Sequence, residues 1–360
     1  MTERLLLRRS PLSRRSILRG AAGATLFAAA PAIIGPAIAA EENVVFVNTY
    51  GGSWTAAEVA AYYEPFTKET GIQVRTVTPV STAKIKAQVV TGNYDWDVGS
   101  IGASEFEQVR VAGLLEPIDR SIVNLDKIQK RNIFGDNGIN SVSLSYLYAY
   151  RKDKFPNGGP KTWADFWDVK KFPGNRSMAS RSWTCVAHAL LADGVPLDKL
   201  YPLDIERAFK KLDEIKPHIK VWWKENTQSQ QLVRDGEVDL IQMTNARAQE
   251  LIDQGIPLEI VWNGAESYES PWFVSKGAPR AKAGWKLIDF CSRPEPQAEF
   301  CRRLPYGPSN PDAFKFLDEK SAAKLPTTPE HLAQSFTPDA AWLGPRLDAL
   351  KERWVQWIGS

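Results

Sequence analysis

One stretch, residues 221–247, constrains the fold more than any other part of the chain. It reads VWWKENTQSQQLVRDGEVDLIQMTNAR: an apolar run, a polar segment that predicts a helix, a turn at Asp235-Gly236, and a second apolar run. The order predicts a strand, a helix and a strand that runs parallel to the first. Parallel strands end at the same edge of a sheet, where open α/β folds bind ligands. The stretch therefore predicts half of a small-molecule cleft.

The same alternation of strands and helices extends over most of the chain, which predicts α/β layers. Early in the chain, predicted strands end in small or polar residues near Tyr50, Ser81 and Ser100, and Ser53-Trp54 opens the helix after the first of them. Small residues leave space, and amides exposed at helix starts favour anions. No phosphate-binding loop of the Walker type occurs, so nucleotide hydrolysis has no support.

The first forty residues have the pattern of an export signal. Arg14-Arg15 precedes an Ala-rich apolar run, Ala21 to Ile34, and small residues follow at Ala37 to Ala39. This pattern is typical of a twin-arginine signal and predicts cleavage near Ala39 or Ala40. Pro31 and Pro36 interrupt the apolar run well short of the ~20 residues that a spanning helix needs. We therefore expect an exported, periplasmic protein rather than an anchored one.

The positive charge of the chain belongs to this signal. Residues 1–40 hold six arginines and one glutamate, so their removal takes the formal net charge from +3 to −2. A mature chain near neutrality gives no electrostatic case for binding nucleic acid or an anionic membrane. Cys185, Cys291 and Cys301 are an odd number of thiols for an exported chain, and we expect all three to be buried and unpaired. No spacing of cysteine or histidine predicts a metal site.

Six motifs in order give the chain a family resemblance over nearly all of its mature length. They are the export signal, Asn48-Thr-Tyr-Gly-Gly, Thr162-Trp-Ala-Asp-Phe-Trp, Asp235-Gly-Glu-Val-Asp, Val274-Ser-Lys-Gly-Ala-Pro and Arg293-Pro-Glu-Pro-Gln. Together they resemble the periplasmic solute-binding proteins of ATP-driven (ABC) importers, in the branch usually labelled spermidine/putrescine-binding. The resemblance implies a two-lobe α/β fold of type II that closes on one ligand. It also implies docking to an inner-membrane permease with its ATPase, as a monomer without cofactor or catalytic activity.

The expected lobes follow from this resemblance. After the signal at residues 1–40, lobe 1 comprises residues 41–150 and 270–318, and lobe 2 comprises residues 151–269 and 319–360.

The resemblance leaves the ligand open, because the branch also includes receptors for small carboxylates and γ-aminobutyrate. In its polyamine receptors, a Trp-x-Asp motif before the returning strand supplies an aromatic wall and a carboxylate for an ammonium. The matching positions here are Tyr268-Glu269-Ser270, so the aromatic residue is kept and serine replaces the aspartate. A buried ammonium without a carboxylate partner is costly, which argues against a polyamine.

We therefore predict a ligand that carries a carboxylate, either an organic acid or an ω-amino acid. An arginine fork binds a carboxylate bidentately, and Arg247, with Arg181 as a second candidate, is expected to hold it. Trp222 and Trp223 face opposite sides of their strand, and Trp223 is the choice for the cleft. The predicted ligand-binding residues are Tyr50, Ser53, Trp54, Ser81, Ser100, Arg181, Trp223, Arg247, Tyr268 and Ser270.

Three alternatives stay open from the sequence. A polyamine would need another acid, for which the candidates are Glu225, Glu269, Asp95 and Asp97. An exported enzyme would need a nucleophile near a base, and the one close pair, Cys185 and His188, has no recognisable third member and predicts a packed helix face instead. An iron receptor would need converging tyrosines, whereas Tyr146, Tyr148 and Tyr150 alternate along one strand.

Overall fold

The structure is a computed structural model that describes residues 43–360. The predicted twin-arginine signal and its cleavage site lie outside the described residues.

The described chain alternates strands and helices. The strands are Val44–Asn48 (β1), Gln73–Val77 (β2), Val98–Ser100 (β3), Ile133–Phe134 (β4), Gly138–Arg151 (β5), Arg176–Ala179 (β6), Ile219–Trp223 (β7), Leu240–Thr244 (β8), Leu258–Val274 (β9), Gly307–Pro308 (β10) and Ser335–Phe336 (β11). The first helix, α1, runs through Gly52–Glu58, the π-helical turn Val59–Tyr63 and Glu64–Thr70. The other helices are Thr82–Thr91 (α2), Ala103–Val111 (α3), Trp163–Trp167 (α4), Ser182–Ala192 (α5), Ile205–Ile215 (α6), Asn226–Arg234 (α7), Asn245–Asp253 (α8), Ala281–Cys291 (α9), Pro294–Arg303 (α10), Glu319–Ala322 (α11), Pro329–Ala333 (α12), Ala340–Leu343 (α13) and Leu347–Gly359 (α14).

One continuous sheet joins two α/β lobes, with the strand order β2-β1-β3-β9-β5-β8-β6-β7. In the first lobe β1 pairs in parallel with β2 and β3. In the second lobe β6 pairs in parallel with β7 and β8. The predicted strands of residues 221–247 are therefore parallel and end at one edge, with β6 inserted between them.

Two long antiparallel strands, β5 and β9, connect the lobes. The first part of β5 pairs with the end of β9, which in turn pairs with β3 of the first lobe. The last part of β5 pairs with β8 of the second lobe. Register shifts between Asn140 and Ser143, and between Tyr146 and Tyr148, interrupt the β5–β9 ladder near the crossing. Such irregularities bend and twist strands, and here they fall where β5 and β9 pass between the lobes.

Each lobe has its own apolar core. In the first lobe, Val45 of β1 and Phe66 of α1 pack with Trp285 and Phe300 of the later helices. In the second lobe, Phe166, Leu190 and Leu212 pack together with Trp354 from α14. Separate cores joined by two strands are the arrangement that permits the lobes to move relative to each other.

The three cysteines are buried and unpaired, as predicted. Within residues 43–360, no helix combines the length and the apolar character needed to cross a bilayer.

Candidate ligand-binding cleft

A cleft of about 890 Å³ opens between the lobes, at the carboxyl ends of β1, β6, β7 and β8. The crossing strands β5 and β9 form its floor, and α14 contributes one wall. The lining residues are Tyr50, Gly51, Gly52, Ser53, Trp54, Leu144, Tyr146, Ala179, Ser180, Arg181, Ser182, Trp183, Trp223, Lys224, Glu225, Asn226, Thr227, Arg247, Tyr268, Ser270, Tyr306, Lys351, Trp354 and Val355.

Eight of the ten predicted site residues line this cleft, and Ser81 and Ser100 do not. The hydroxyl of Ser81 instead accepts a hydrogen bond from the Lys84 amide and caps α2. Ser100 is buried one layer behind the cleft, where its Oγ lies 2.8 Å from the Oγ of Ser270. Ser100 therefore contacts a lining residue without reaching the cavity. Whether the lining residues bind a ligand stays a prediction.

Arg181 is a cation of the cleft that forms no ion pair with the described residues. Its guanidinium Cζ lies 4.9 Å from the ring centre of Tyr146, 4.3 Å from that of Trp183 and 4.7 Å from that of Tyr268. Its Nε is buried and has no hydrogen-bond partner among the described residues. Aromatic faces attract a cation without consuming its N–H donors. Arg181 therefore keeps its hydrogen-bonding capacity for a ligand.

The surroundings of Arg181 keep it positively charged. Burial acts to lower the pKa of its guanidinium, but Tyr146 and Tyr268, followed by Glu105 and Glu266, outweigh burial and raise the pKa. Glu266 on β9 is fully buried, and neither of its carboxylate oxygens has a partner among the described residues. The two lobes thus hold a permanent cation at the floor of the cleft.

Arg247 differs from Arg181 because it already has a partner. One of its terminal nitrogens lies 2.8 Å and 2.9 Å from the two carboxylate oxygens of Glu250, one helical turn further along α8. The Nε of Arg247, like that of Arg181, is buried without a partner among the described residues, but the ion pair with Glu250 neutralises part of the Arg247 charge. The sequence ranked Arg247 above Arg181, and the geometry favours the opposite order.

The helices that begin at the cleft add positive potential. The starts of α5, α7 and α8 carry no side-chain cap hydrogen bond. Away from the cleft, side chains cap α2, α4 and α6, whereas α3, α9 and α10 also start without such a cap. The first N–H groups of a helix have no partner within the helix and favour anions. The starts of α5 and α8 therefore present free donors to a negatively charged ligand group, whereas Glu225 lies at the start of α7.

The two adjacent tryptophans of β7 have separate surroundings. Trp223 is 3% exposed, lines the cleft, and donates from Nε1 to the carbonyl oxygen of Gln242 at 2.8 Å. Trp222 faces the other side and packs edge-on against Trp354 and Trp357 of α14. The hydrogen bond therefore fixes the Trp223 ring in the wall of the cleft, whereas Trp222 is part of the core.

Of the four acids considered for a polyamine, only Glu225 lines the cleft. Asp95 is exposed and pairs with Lys84. Asp97 is buried and pairs with Arg280. Glu269 lies on the opposite face of β9, in a different cavity. Four cationic side chains and one acidic side chain line the cleft among the described residues, which favours a ligand with a negative group.

Several lining residues were not predicted. Tyr146, Trp183 and Tyr306 extend the aromatic wall, and Lys351 and Trp354 reach the cleft from α14 near the C-terminus. The alternation of β5 could have indicated Tyr146. No local pattern places a C-terminal helix beside a cleft built largely from earlier strands.

The pair considered for an enzyme lies outside the cleft. Cys185 and His188 are fully buried on α5, where the His188 ring stacks on Trp163 with 3.8 Å between centroids. The Nδ1 atom of His188 contacts the amide of Gln242. Both residues have packing roles in the core. Among residues 43–360, no group of three or more histidine, cysteine, aspartate or glutamate side chains could hold a metal ion.

Glu266 makes the stability of the protein depend on pH. Burial raises the pKa of its carboxyl to about 7, although the Arg181 guanidinium acts to lower it. The folded state therefore holds a proton that the unfolded chain releases near its ordinary pKa, so the free energy of unfolding falls as pH rises between about 4.5 and 7. We compare the free energy of unfolding of Glu266→Gln with that of the parent. The difference is expected to change by roughly 2 kcal/mol in favour of the variant as pH rises from 5 to 8. Urea unfolding across this range measures the difference.

The matched control is Glu352→Gln, which removes an exposed carboxylate from α14. Parallel pH profiles for Glu266→Gln and the parent would contradict the expectation.

The lobes, the crossing strands and the cleft between them define a two-lobe binding protein. Residues 61–329 match the model of the family described as bacterial extracellular solute-binding protein. The chain therefore belongs to the bacterial extracellular solute-binding proteins, and the fold predicted from the sequence is confirmed.

Relatives and a solved structure agree with this assignment. A gamma-aminobutyric acid-binding protein of Pseudomonas aeruginosa is 32% identical over 324 residues, which are 88% of this chain and 92% of that protein. A spermidine/putrescine-binding periplasmic protein of Salmonella typhimurium is 27% identical over 287 residues, 76% of this chain and 80% of that protein. The solved structure of the Atu4243 GABA receptor has a TM-score of 0.83 at 34% identity and covers 88% of this chain and 98% of that chain.

Proposed function

We propose that this protein is the receptor of an ABC importer for a small ω-amino acid of the γ-aminobutyrate type. Arg181 holds the ligand carboxylate, and Glu225 pairs with its ammonium group. This proposal depends most on one observation: the Nε of Arg181 is buried among three aromatic rings and has no hydrogen-bond partner among the described residues. The similarity to a gamma-aminobutyric acid-binding protein supports the same ligand class.

The two ends of such a ligand match the two sides of the cleft. The carboxylate accepts hydrogen bonds from Arg181 and from uncapped helix starts such as that of α5. Glu225 is the only acidic side chain among the described lining residues, and it stands at the start of α7. A ligand that also touches Tyr50 or Ser53 contacts both lobes, and contact with both lobes favours the closed arrangement.

Calorimetry with three four-carbon solutes tests this proposal. 4-Aminobutanoate carries both charges, butanoate only the carboxylate, and 1,4-diaminobutane only ammonium groups. We expect 4-aminobutanoate to bind most tightly, butanoate more weakly and the diamine least. Tight binding of the diamine, with no response to either acid, would replace the proposal by the polyamine alternative. Native mass spectrometry of the protein as purified identifies any ligand that it retains.

Replacing Glu225 with glutamine separates an amino acid from an acid. We expect affinity for 4-aminobutanoate to fall about 10-fold, which corresponds to ~1.4 kcal/mol, because the ammonium loses its carboxylate partner. Affinity for butanoate is expected to stay within a factor of 2 to 3. Calorimetry on both ligands measures the split.

Asp95→Asn is the matched control, because Asp95 is exposed and lies outside the cleft lining. An equal loss for both ligands in Glu225→Gln would show that Glu225 supports the cleft without contacting the ammonium.

The same proposal covers export, assembly and lobe boundaries. Residues 1–40 direct twin-arginine export to the periplasm. The mature monomer delivers its ligand to an inner-membrane permease and its ATPase and catalyses no reaction. Lobe 1 comprises residues 41–150 and 270–318, and lobe 2 comprises residues 151–269 and 319–360.

A further inference from the structure

A second cavity, of about 260 Å³, lies on the opposite face of the crossing strands from the ligand cleft. Successive side chains of a strand point to opposite faces. Tyr268 and Ser270 of β9 therefore face the cleft, whereas Ser267 and Glu269 face the second cavity. The two cavities share a wall two strands wide and do not share a lining residue.

Glu269 is the only acidic side chain among the described residues that line the second cavity. It forms neither a hydrogen bond nor an ion pair through its carboxylate with the described residues, and burial raises the pKa of this carboxyl to about 7. Arg131 lies at the rim, but it is exposed, and its Nε donates to the side chain of Gln129 at 2.9 Å. The carboxylate of Glu269 thus contacts no counter-charge, although Arg131 lines the same cavity and acts to lower the pKa of this carboxyl.

A buried hydroxyl without a partner faces the same cavity. Thr327 is 8% exposed, and its Oγ1 has no hydrogen-bond partner among the described residues. It fits there because position 307 is a glycine: a Cβ at Gly307 would lie 2.5 Å from this oxygen. Asn132 and Thr337 bring further polar groups to the lining. The cavity therefore combines one carboxylate and neutral oxygen atoms in its interior with the exposed guanidinium of Arg131 at its rim.

The polar groups of the second cavity indicate the charge of a possible occupant, and the cavity volume limits its size. One carboxylate balances one positive charge, and neutral oxygens complete the shell of an ammonium group or an alkali-metal ion. The described residues contain no cluster of acids of the kind that a divalent ion prefers. The volume lies below the ~300–1,000 Å³ typical of pockets for drug-sized ligands. A small monovalent cation matches both constraints.

We propose that the second cavity binds one small monovalent cation, an ammonium group or an alkali-metal ion, through the Glu269 carboxylate and the Thr327 hydroxyl. The site is separate from the proposed amino-acid site and does not depend on it.

The test measures thermal unfolding of the full chain against added cation at constant ionic strength, because screening by salt also changes stability. Methylammonium, sodium and potassium chlorides are three separate arms, each balanced with tetramethylammonium chloride, whose methyl groups exclude N–H donation. A ligand that binds only the folded state raises the unfolding temperature with increasing concentration. We expect this rise, with the concentration dependence of one site, in the methylammonium arm or in an alkali-metal arm. The arm that responds identifies the ion.

Three variants decide whether the cation sits in the second cavity. Glu269→Gln is expected to weaken the response at least 10-fold, and Thr327→Val, which keeps the carboxylate, about 3-fold. Glu259→Gln, a change at an exposed position of the same strand that lies outside the lining of the second cavity, is expected to keep the response. The proposal would be overturned if none of the three cations raised the unfolding temperature with the concentration dependence of one site. So would a response that is lost in Glu225→Gln and kept in both Glu269→Gln and Thr327→Val, because the cation would then sit in the cleft.

Discussion

Replacing Arg181 with methionine is expected to reduce affinity for 4-aminobutanoate at least about 100-fold, since truncating one partner of a desolvated charge pair costs roughly 2–5 kcal/mol. Methionine keeps much of the side-chain volume among Tyr146, Trp183 and Tyr268 and removes the charge and the donors. Arg181→Lys keeps the charge but loses the planar fork, so an intermediate loss is expected. Calorimetry measures the affinities, and circular dichroism checks that each variant is folded.

Arg247→Met is the matched comparison, because it removes the same group from the same cleft. Its guanidinium already pairs with Glu250, so the expected loss is less than 10-fold. A large loss in Arg247→Met together with a small loss in Arg181→Met would reverse the assignment. The carboxylate would then be held by Arg247, as the sequence alone suggested.

Replacing Gly102 with alanine is expected to weaken both the ligand cleft and the fold. A Cβ at this position would lie 1.8 Å from the Tyr268 hydroxyl oxygen and 2.5 Å from the Glu105 carboxylate. Tyr268 must then move, although its ring forms part of the surroundings of Arg181. Overpacking of this kind costs about 1–3 kcal/mol. We expect a loss of that size in the free energy of unfolding and at least a 10-fold loss of affinity for 4-aminobutanoate, measured by urea unfolding and calorimetry.

Gly359→Ala is the control, because a Cβ there meets nothing within 4 Å. Unchanged affinity and stability in Gly102→Ala would show that Tyr268 adopts another position freely and is not a fixed wall of the cleft.

Periodicity and strand ends were the parts of this protein that could be predicted well. The strand-helix-strand reading of residues 221–247 corresponds to β7, α7 and β8. Eight of ten proposed residues came to one cleft because parallel strands deliver their carboxyl ends to the same edge of a sheet. Ser100 does not line the cleft because its strand end is covered by β9, where Ser270 contacts it.

Two structural features of the charged residues had local signals in the sequence. Glu250 follows Arg247 by three residues, a spacing that brings side chains together on a helix. Tyr268 and Ser270 share a face of β9 by alternation, which excludes Glu269 from the same cleft. Both signals are local, and both would have favoured Arg181 and Glu225 as the charged residues of the site.

The sequence by itself determined the order of strands and helices, the edge of the sheet that carries the cleft, and the residue types available there, because these follow from local periodicity. Only the tertiary structure decided which charges stay unpaired. Arg181 forms no ion pair with the described residues because the rings of Tyr146 and Tyr268, contributed by the two crossing strands, lie against its guanidinium, while the nearby carboxylates of Glu105 and Glu266 do not contact it. Likewise, Lys351 reaches the cleft from the last helix. Contacts between segments so distant in the chain depend on packing, which no local pattern encodes.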